Sequence, residues 1–188
     1  MFTLRSKNKY KDITPEIYQN IIERSRSKFF YLNMDIDDSF ESRFDIIILH
    51  SFIIFYFLKN ISDNERKLSQ FLFDFMFDDF DNNLREMGFG DIAVNKKMKV
   101  FITAFYGRIA NYSQGVDRIK NNNDHAMLNK AILNNIYKGK ISNVAYLKFF
   151  NQYIMKNLDF FKSRNIKINI KERFRFIEFP NEGQNYER

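Results

Sequence analysis

The chain has 188 residues, 45% of them hydrophobic and 23 of them Phe, enough apolar material for one packed domain and far too much for a disordered protein. It has no Cys, which excludes a disulfide framework, a Cys-based zinc site and a cysteine nucleophile. Thirty Lys and Arg against 23 Asp and Glu leave a net charge of +7, a balance that suits anionic partners, although the bases are scattered apart from Lys96, Lys97 and Lys99 and a group between Lys162 and Arg175.

Residues 1–13 are polar and read as a flexible N-terminal segment, with no apolar run and small-residue cleavage site of a secretory signal; cytoplasmic residence is the expectation. Thr14-Pro15 then predicts a helix start, with Thr as N-cap, Pro at the first helical position, and Ile17, Ile21 and Ile22 at helical spacing. Asp38 with Glu41 predicts the next start, opening the apolar stretch Phe44 to Leu58. That stretch is shorter than the roughly 20 residues of a membrane span and is interrupted by Asp45, His50 and Ser51, so a buried core helix is expected. Ser62 and Glu65 begin a third helix that ends at Met87, with Gly88 supplying a left-handed cap.

A fourth helix is expected from about Asn95 toward Asp117, burying Met98, Phe101, Ile102, Phe105, Ile109 and Tyr112. Gly107 on its other side predicts a close helix crossing, because a mid-helix Gly otherwise costs about 1 kcal/mol. Asp124 to Tyr137 reads as a fifth helix closed by Gly139. Ser142 caps a sixth, with Val144, Leu147, Phe150, Ile154, Leu158 and Phe161 along one face. Beyond residue 165 the alternation of Ile166, Ile168 and Ile170, followed by Phe174, Phe176 and Phe179, admits two short strands. The expected architecture is therefore an all-α, irregular bundle of about six helices over residues 14–165, with a tail over 166–188 that includes a short C-terminal β-hairpin.

Catalytic chemistry finds no carrier. Gly88-Phe89-Gly90 follows a helix and lacks the Gly-Lys-Ser/Thr of a phosphate loop. An EF-hand starting at Asp79 would place Leu84 where Gly is needed and Gly90 where Glu is needed, and the chain has only two His, His50 and His125, with no Glu-x-x-His pair. Neither a metal nor a cofactor is expected. His50 reads as a hydrogen-bonded core residue on a helix face with Arg43 and Phe57. Gln70, Asp74, Asp78, Asp81 and Arg85 fall within about 80° of helical arc. That polar stripe reads as a solvated face, as a partner-facing one, or as one that binds an Arg or Lys of the same chain.

Two stretches together resemble the ubiquinol-cytochrome c chaperone family. The first is Arg43-Phe44-Asp45 with Leu49-His50. The second runs Gln70, Phe73-Asp74, Met76-Phe77, Asp79, Asp81, Leu84-Arg85-Glu86-Met87-Gly88, Gly90-Asp91, Lys96-Lys97-Met98 and Ala104-Phe105-Tyr106-Gly107-Arg108. Ser42 and Asn95 stand where the family commonly has Gly, and Phe80 where it has Met. The resemblance implies a non-enzymatic helical chaperone that binds newly made cytochrome b, apo or partly haem-loaded, and supports maturation of respiratory complex III. It also implies a ribosome or a small partner protein as further partners, and peripheral contact with the inner face of the membrane without a transmembrane span. The polar stripe and the motif positions together make Gln70, Asp74, Asp78, Asp81, Arg85, Glu86, Gly88, Gly90, Asp91, Lys97 and Arg108 the candidate partner-binding residues. Structural roles fall to Arg43, His50, Phe73, Phe77, Phe105, Tyr106 and Gly107. The rival reading, resting on charge, is a helical RNA- or ribosome-binding protein.

Overall fold

The computed structural model describes residues 2–60, 63–164 and 173–179. Among these are seven helical segments and no strand: α1 Phe2–Ser25, α2 Lys28–Asn33, α3 Phe40–Lys59, α4 Asp63–Glu86, α5 Asp91–Asn122, α6 Ala126–Asn135 and α7 Ala145–Ser163. Six of the seven have ten residues or more, so the all-helical bundle stands, with the one-and-a-half-turn α2 added.

The axis of the bundle is α3, whose mean composition is so apolar that it is buried on every side. It packs against α1, α4, α5 and α7, while α1 also lies along α4 and α6 fills the angle between α5 and α7. Its N-cap is Ser39, which accepts the Ser42 amide. Asp38, one residue outside, forks to Arg43 at 2.6 and 2.9 Å instead of capping. The Schellman geometry at the end of α4 follows from Gly88 at φ +88°: Phe89 donates to the Leu84 carbonyl at 3.2 Å and Gly88 to that of Arg85 at 2.9 Å.

Several expected boundaries move. The first helix does not begin at Thr14 but runs through Pro15 from Phe2, and the Thr14 hydroxyl bonds back to the Tyr10 carbonyl at 2.6 Å. Ser62 lies outside the described residues. Helix α5 starts at Asp91, whose carboxylate suits the positive end of the helix, and ends at Asn123 in the left-handed conformation. Asp124 accepts the Ala126 amide ahead of α6, and Asn143, rather than Ser142, accepts that of Ala145 ahead of α7. Val144 is left exposed.

The close crossing is not at Gly107, around which a Cβ would meet nothing within 4 Å. It is at Gly115, where a Cβ would lie 2.9 Å from the backbone of Leu128. Gly115 therefore sets the distance at which α6 docks on α5.

The C-terminal hairpin is not found. Residues 166–170 lie outside the described residues, and 173–179 form a turn followed by an extended run without a ladder partner. Phe174, Phe176 and Phe179 are all buried. Phe174 and Phe176 pack on Phe161, Phe179 stacks on Phe29 at 4.2 Å, and the Ile177 amide donates to the Asn157 side chain at 3.0 Å. Burial of three aromatic rings and a side-chain acceptor take the place of strand pairing.

Candidate functional site: a motif-bearing α4–α5 platform and an apolar cleft

The two resemblance-bearing stretches, separated in sequence, meet in space through Asp45. Its carboxylate is 1% exposed and pairs with Arg108 of α5 at 2.7 Å and with Lys138 from the end of α6. Lys138 reaches it from the left-handed conformation, φ +51°, and also donates to the Asn135 carbonyl. Burial pushes the Asp45 carboxyl above its ordinary range, and the Lys138 hydrogen bond and the Arg108 charge partly offset that. Nearby Tyr112 is fully buried, and desolvation, reinforced by the Asp45 charge, raises its phenol. Asp45 thus ties α3 to α5 and to the α6–α7 connection. Arg108 is consumed in this junction and does not reach the α4 stripe.

A second junction lies one turn deeper along α3. His50 is fully buried between Tyr153 and the α1 end. Its Nδ1 donates to the Ile46 carbonyl at 2.8 Å, leaving Nε2 to accept from the Tyr153 hydroxyl at 3.0 Å. Ser25 approaches Nδ1 at 3.0 Å, and rings of Phe30 and Phe176 stand edge-on. Desolvation pushes the imidazole down to about 3, so it stays neutral and has no proton to exchange near neutrality.

Around the α4–α5 contact the motif aromatics form one cluster. Phe73 meets Phe77 at 4.4 Å, Phe105 at 5.4 Å and Tyr106 at 5.5 Å, and Phe55 of α3 closes the cluster against Phe105. Tyr106 keeps an exposed outer edge. Lys97 sits 4.7 Å above the Phe89 ring, fixing the turn against α5. Arg85 holds Asp81 at 2.5 Å and also holds Asp91, so it staples the last turn of α4 to the first turn of α5. Those carboxylates raise the guanidinium further above its already high range.

The stripe is therefore not uniform. Asp81 and Asp91 share the single Arg85 guanidinium and keep one negative charge between them, Asp74 accepts from Gln70 at 2.7 Å, and Asp78 is exposed with no ion-pair partner among the described residues. Glu86, Gly88 and Gly90 are exposed around the turn. The result is a rigid, net acidic surface on which the Asp74 and Asp78 carboxylates have no ion-pair partner among the described residues.

On the opposite side of α4 lies a cleft of about 780 Å³, bounded by α1, α2 and the start of α3. Its floor includes Phe44, Ile47, Phe80 and Phe101, and Arg26, Lys28 and Arg43 stand around its mouth. Arg43, given a structural role by resemblance, belongs here. The cleft was illegible in the sequence because α2, which supplies Lys28, Tyr31 and Leu32, is too short for periodicity to reveal. Among the described residues no group of His, Asp and Glu side chains could hold a metal ion, and no helix is long and apolar enough to cross a membrane.

Comparisons with known proteins bear on the family and the fold. The chain is 24% identical over 160 residues to the ubiquinol-cytochrome c reductase complex assembly factor 1 of mouse and to that of human, covering 85% of this chain and 52% of each relative. It thus spans about half the length of the curated relatives it matches. A crystal structure of the Cbp3 homolog from Brucella abortus superposes with a TM-score of 0.76 at 26% identity, covering 93% of this chain and 94% of that one. The ubiquinol-cytochrome C chaperone family model matches residues 32–167, a span that contains Asp45, Arg108, Lys138 and the whole α4–α5 platform, and the chain belongs to that family.

Proposed function

We propose that this protein is an assembly chaperone that binds newly made cytochrome b, apo or partly haem-loaded, and supports maturation of ubiquinol-cytochrome c reductase, respiratory complex III. It acts by recognition alone, on the side of the membrane where the client's basic loops emerge and in peripheral contact with that face. The observation carrying this reading is the α4–α5 platform. Its aromatic interior and the Arg85 staple make it rigid before any partner arrives, while the carboxylates of Asp74 and Asp78 remain directed outward. Preorganisation lowers the ordering cost of binding, and acidic side chains complement the Lys and Arg that flank membrane spans on the cytoplasmic side. The relatives' names, which specify assembly of the same complex, support the choice of client system.

The test is capture of cytochrome b from cells by tagged protein. Asp74→Lys with Asp78→Lys should reduce co-purified cytochrome b several-fold, with the loss easing at high salt, while the melting temperature stays within about a degree because both residues are exposed. Undiminished capture by the double variant would refute the assignment of this face. Binding of RNA with equal affinity in the absence of cytochrome b would favour a nucleic-acid partner instead.

A further inference from the structure

We propose that the cleft between α1, α2, α3 and the end of α4 binds a single-chain anionic amphiphile, such as a fatty-acid carboxylate, with its chain on the aromatic floor and its headgroup between Arg26 and Lys28. This goes beyond client capture, since the cleft opens on the opposite side of α4 from Asp74 and Asp78. Three observations carry it.

The volume, about 780 Å³, falls within the range of sites that enclose small ligands. The floor and rim are apolar and wet: Leu32 at the edge is 72% exposed, Met87 62% and Phe40 48%. Such a concentration of exposed large apolar side chains around one depression is uncommon on a protein surface without a ligand or partner.

The polar groups of the cleft are, in addition, mostly matched internally. Tyr18 donates to Asp79 at 2.7 Å, Arg43 forks to Asp38, and the Tyr31 hydroxyl donates to the Ser25 carbonyl at 3.1 Å. Asp79 keeps its charge beside the neutral phenol, and Arg26 and Lys28, both exposed at the mouth and without an ion-pair partner among the described residues, outnumber it. An apolar pocket with two neighbouring cations at its mouth and a net positive lining is complementary to one anion attached to one hydrocarbon chain. An extended peptide would bring backbone amides and carbonyls that the aromatic floor cannot satisfy.

Isothermal titration of the intact protein with decanoate, dodecanoate and tetradecanoate, each below its aggregation threshold, tests this. Affinity should rise about four-fold per methylene until the cleft is full. Dodecanol, which lacks the anion, should bind more weakly than dodecanoate. Arg26→Glu with Lys28→Glu should weaken dodecanoate roughly ten-fold and leave dodecanol unchanged, and Leu32→Asp should weaken both. All three positions are exposed, so unchanged melting curves should accompany these losses. Equal binding of dodecanol and dodecanoate, or indifference to the charge reversal, would overturn the proposal. So would absent dodecanoate binding, whether or not the protein then binds phosphatidylglycerol vesicles or an apolar helical peptide.

Discussion

Removing the Asp45 carboxylate should unfold this protein more readily than the loss of one exposed ion pair would suggest, because it strands two cations. Asp45 is 1% exposed, Arg108 18% and Lys138 51%, so Arg108 depends on Asp45 for compensation while Lys138 can turn to water. Breaking a buried pair by removing one member costs roughly 3 to 5 kcal/mol, and the solvent access of Lys138 places Asp45→Leu near the lower figure, about 3 kcal/mol. For a chain of this size that lowers the melting temperature by roughly 6 to 12 °C. Arg108→Met leaves Asp45 buried with Lys138 alone and should cost about 2 to 3 kcal/mol, whereas Lys138→Met should cost under about 1 kcal/mol. Asp45→Leu combined with Arg108→Met buries no unpaired charge, and its stability should return close to that of the parent. Urea denaturation followed by far-ultraviolet circular dichroism gives all four values. Coupling of at least about 2 kcal/mol is expected, and single losses that simply add to within about 0.5 kcal/mol would refute the junction as described.

Three further predictions concern the core and the packing of the helices. His50 is held neutral, with its pKa pushed down to about 3 by burial against about 6.5 in an unfolded chain. The unfolded state therefore binds the extra proton, and stability should fall as pH drops below about 6.5, by roughly 2 kcal/mol at pH 5. A His50→Asn variant with the same acid sensitivity would count against this cause. Gly107→Ala should stabilise by up to about 1 kcal/mol, since the position is mid-helix and open. Gly115→Ala should instead cost about 1 to 3 kcal/mol by forcing Leu128 back, and thermal melts that rank the two the other way would contradict the placement of α6. Phe176→Ala should cost about 3 to 5 kcal/mol because its ring fills space between Phe161 and His50; a loss under about 1 kcal/mol would show that residues 173–179 do not complete the core.

Much of the helical order was legible because its signals are local. The predominantly apolar run of α3, the three- and four-residue spacing of Leu147, Phe150, Ile154 and Leu158, and Gly88 after Met87 each encode a helix or its end within a few residues. What could not be read depends on partners distant in the chain. Pro15 looked like a start because a ring at that position favours the first turn, yet the helix passes through it. Glycine at 107 and 115 looks alike in sequence, and only the arrival of Leu128 distinguishes them. Strands are read from an alternation that lies mostly outside the described residues, whereas Phe174, Phe176 and Phe179 are buried without a ladder.

The candidate site divides the same way. The stripe from Gln70 to Arg85 follows from helical spacing alone, but its division into ion-paired and unpaired carboxylates required knowing that Arg85 reaches Asp91 across the turn. Arg108 reads as an exposed base until Asp45, 63 residues earlier, is seen beneath it. Lys138, a further partner 93 residues from Asp45, has no sequence signal beyond the Gly that follows it.

The most direct test of the chaperone assignment is made in the cell. Deletion of the gene, followed by heme spectra and immunodetection, compares cytochrome b and complex III with complex IV. Selective loss of cytochrome b and complex III, restored by the parent chain and poorly by Asp74→Lys with Asp78→Lys, is the expected result. Normal cytochrome b and complex III in the deletion strain would contradict the account.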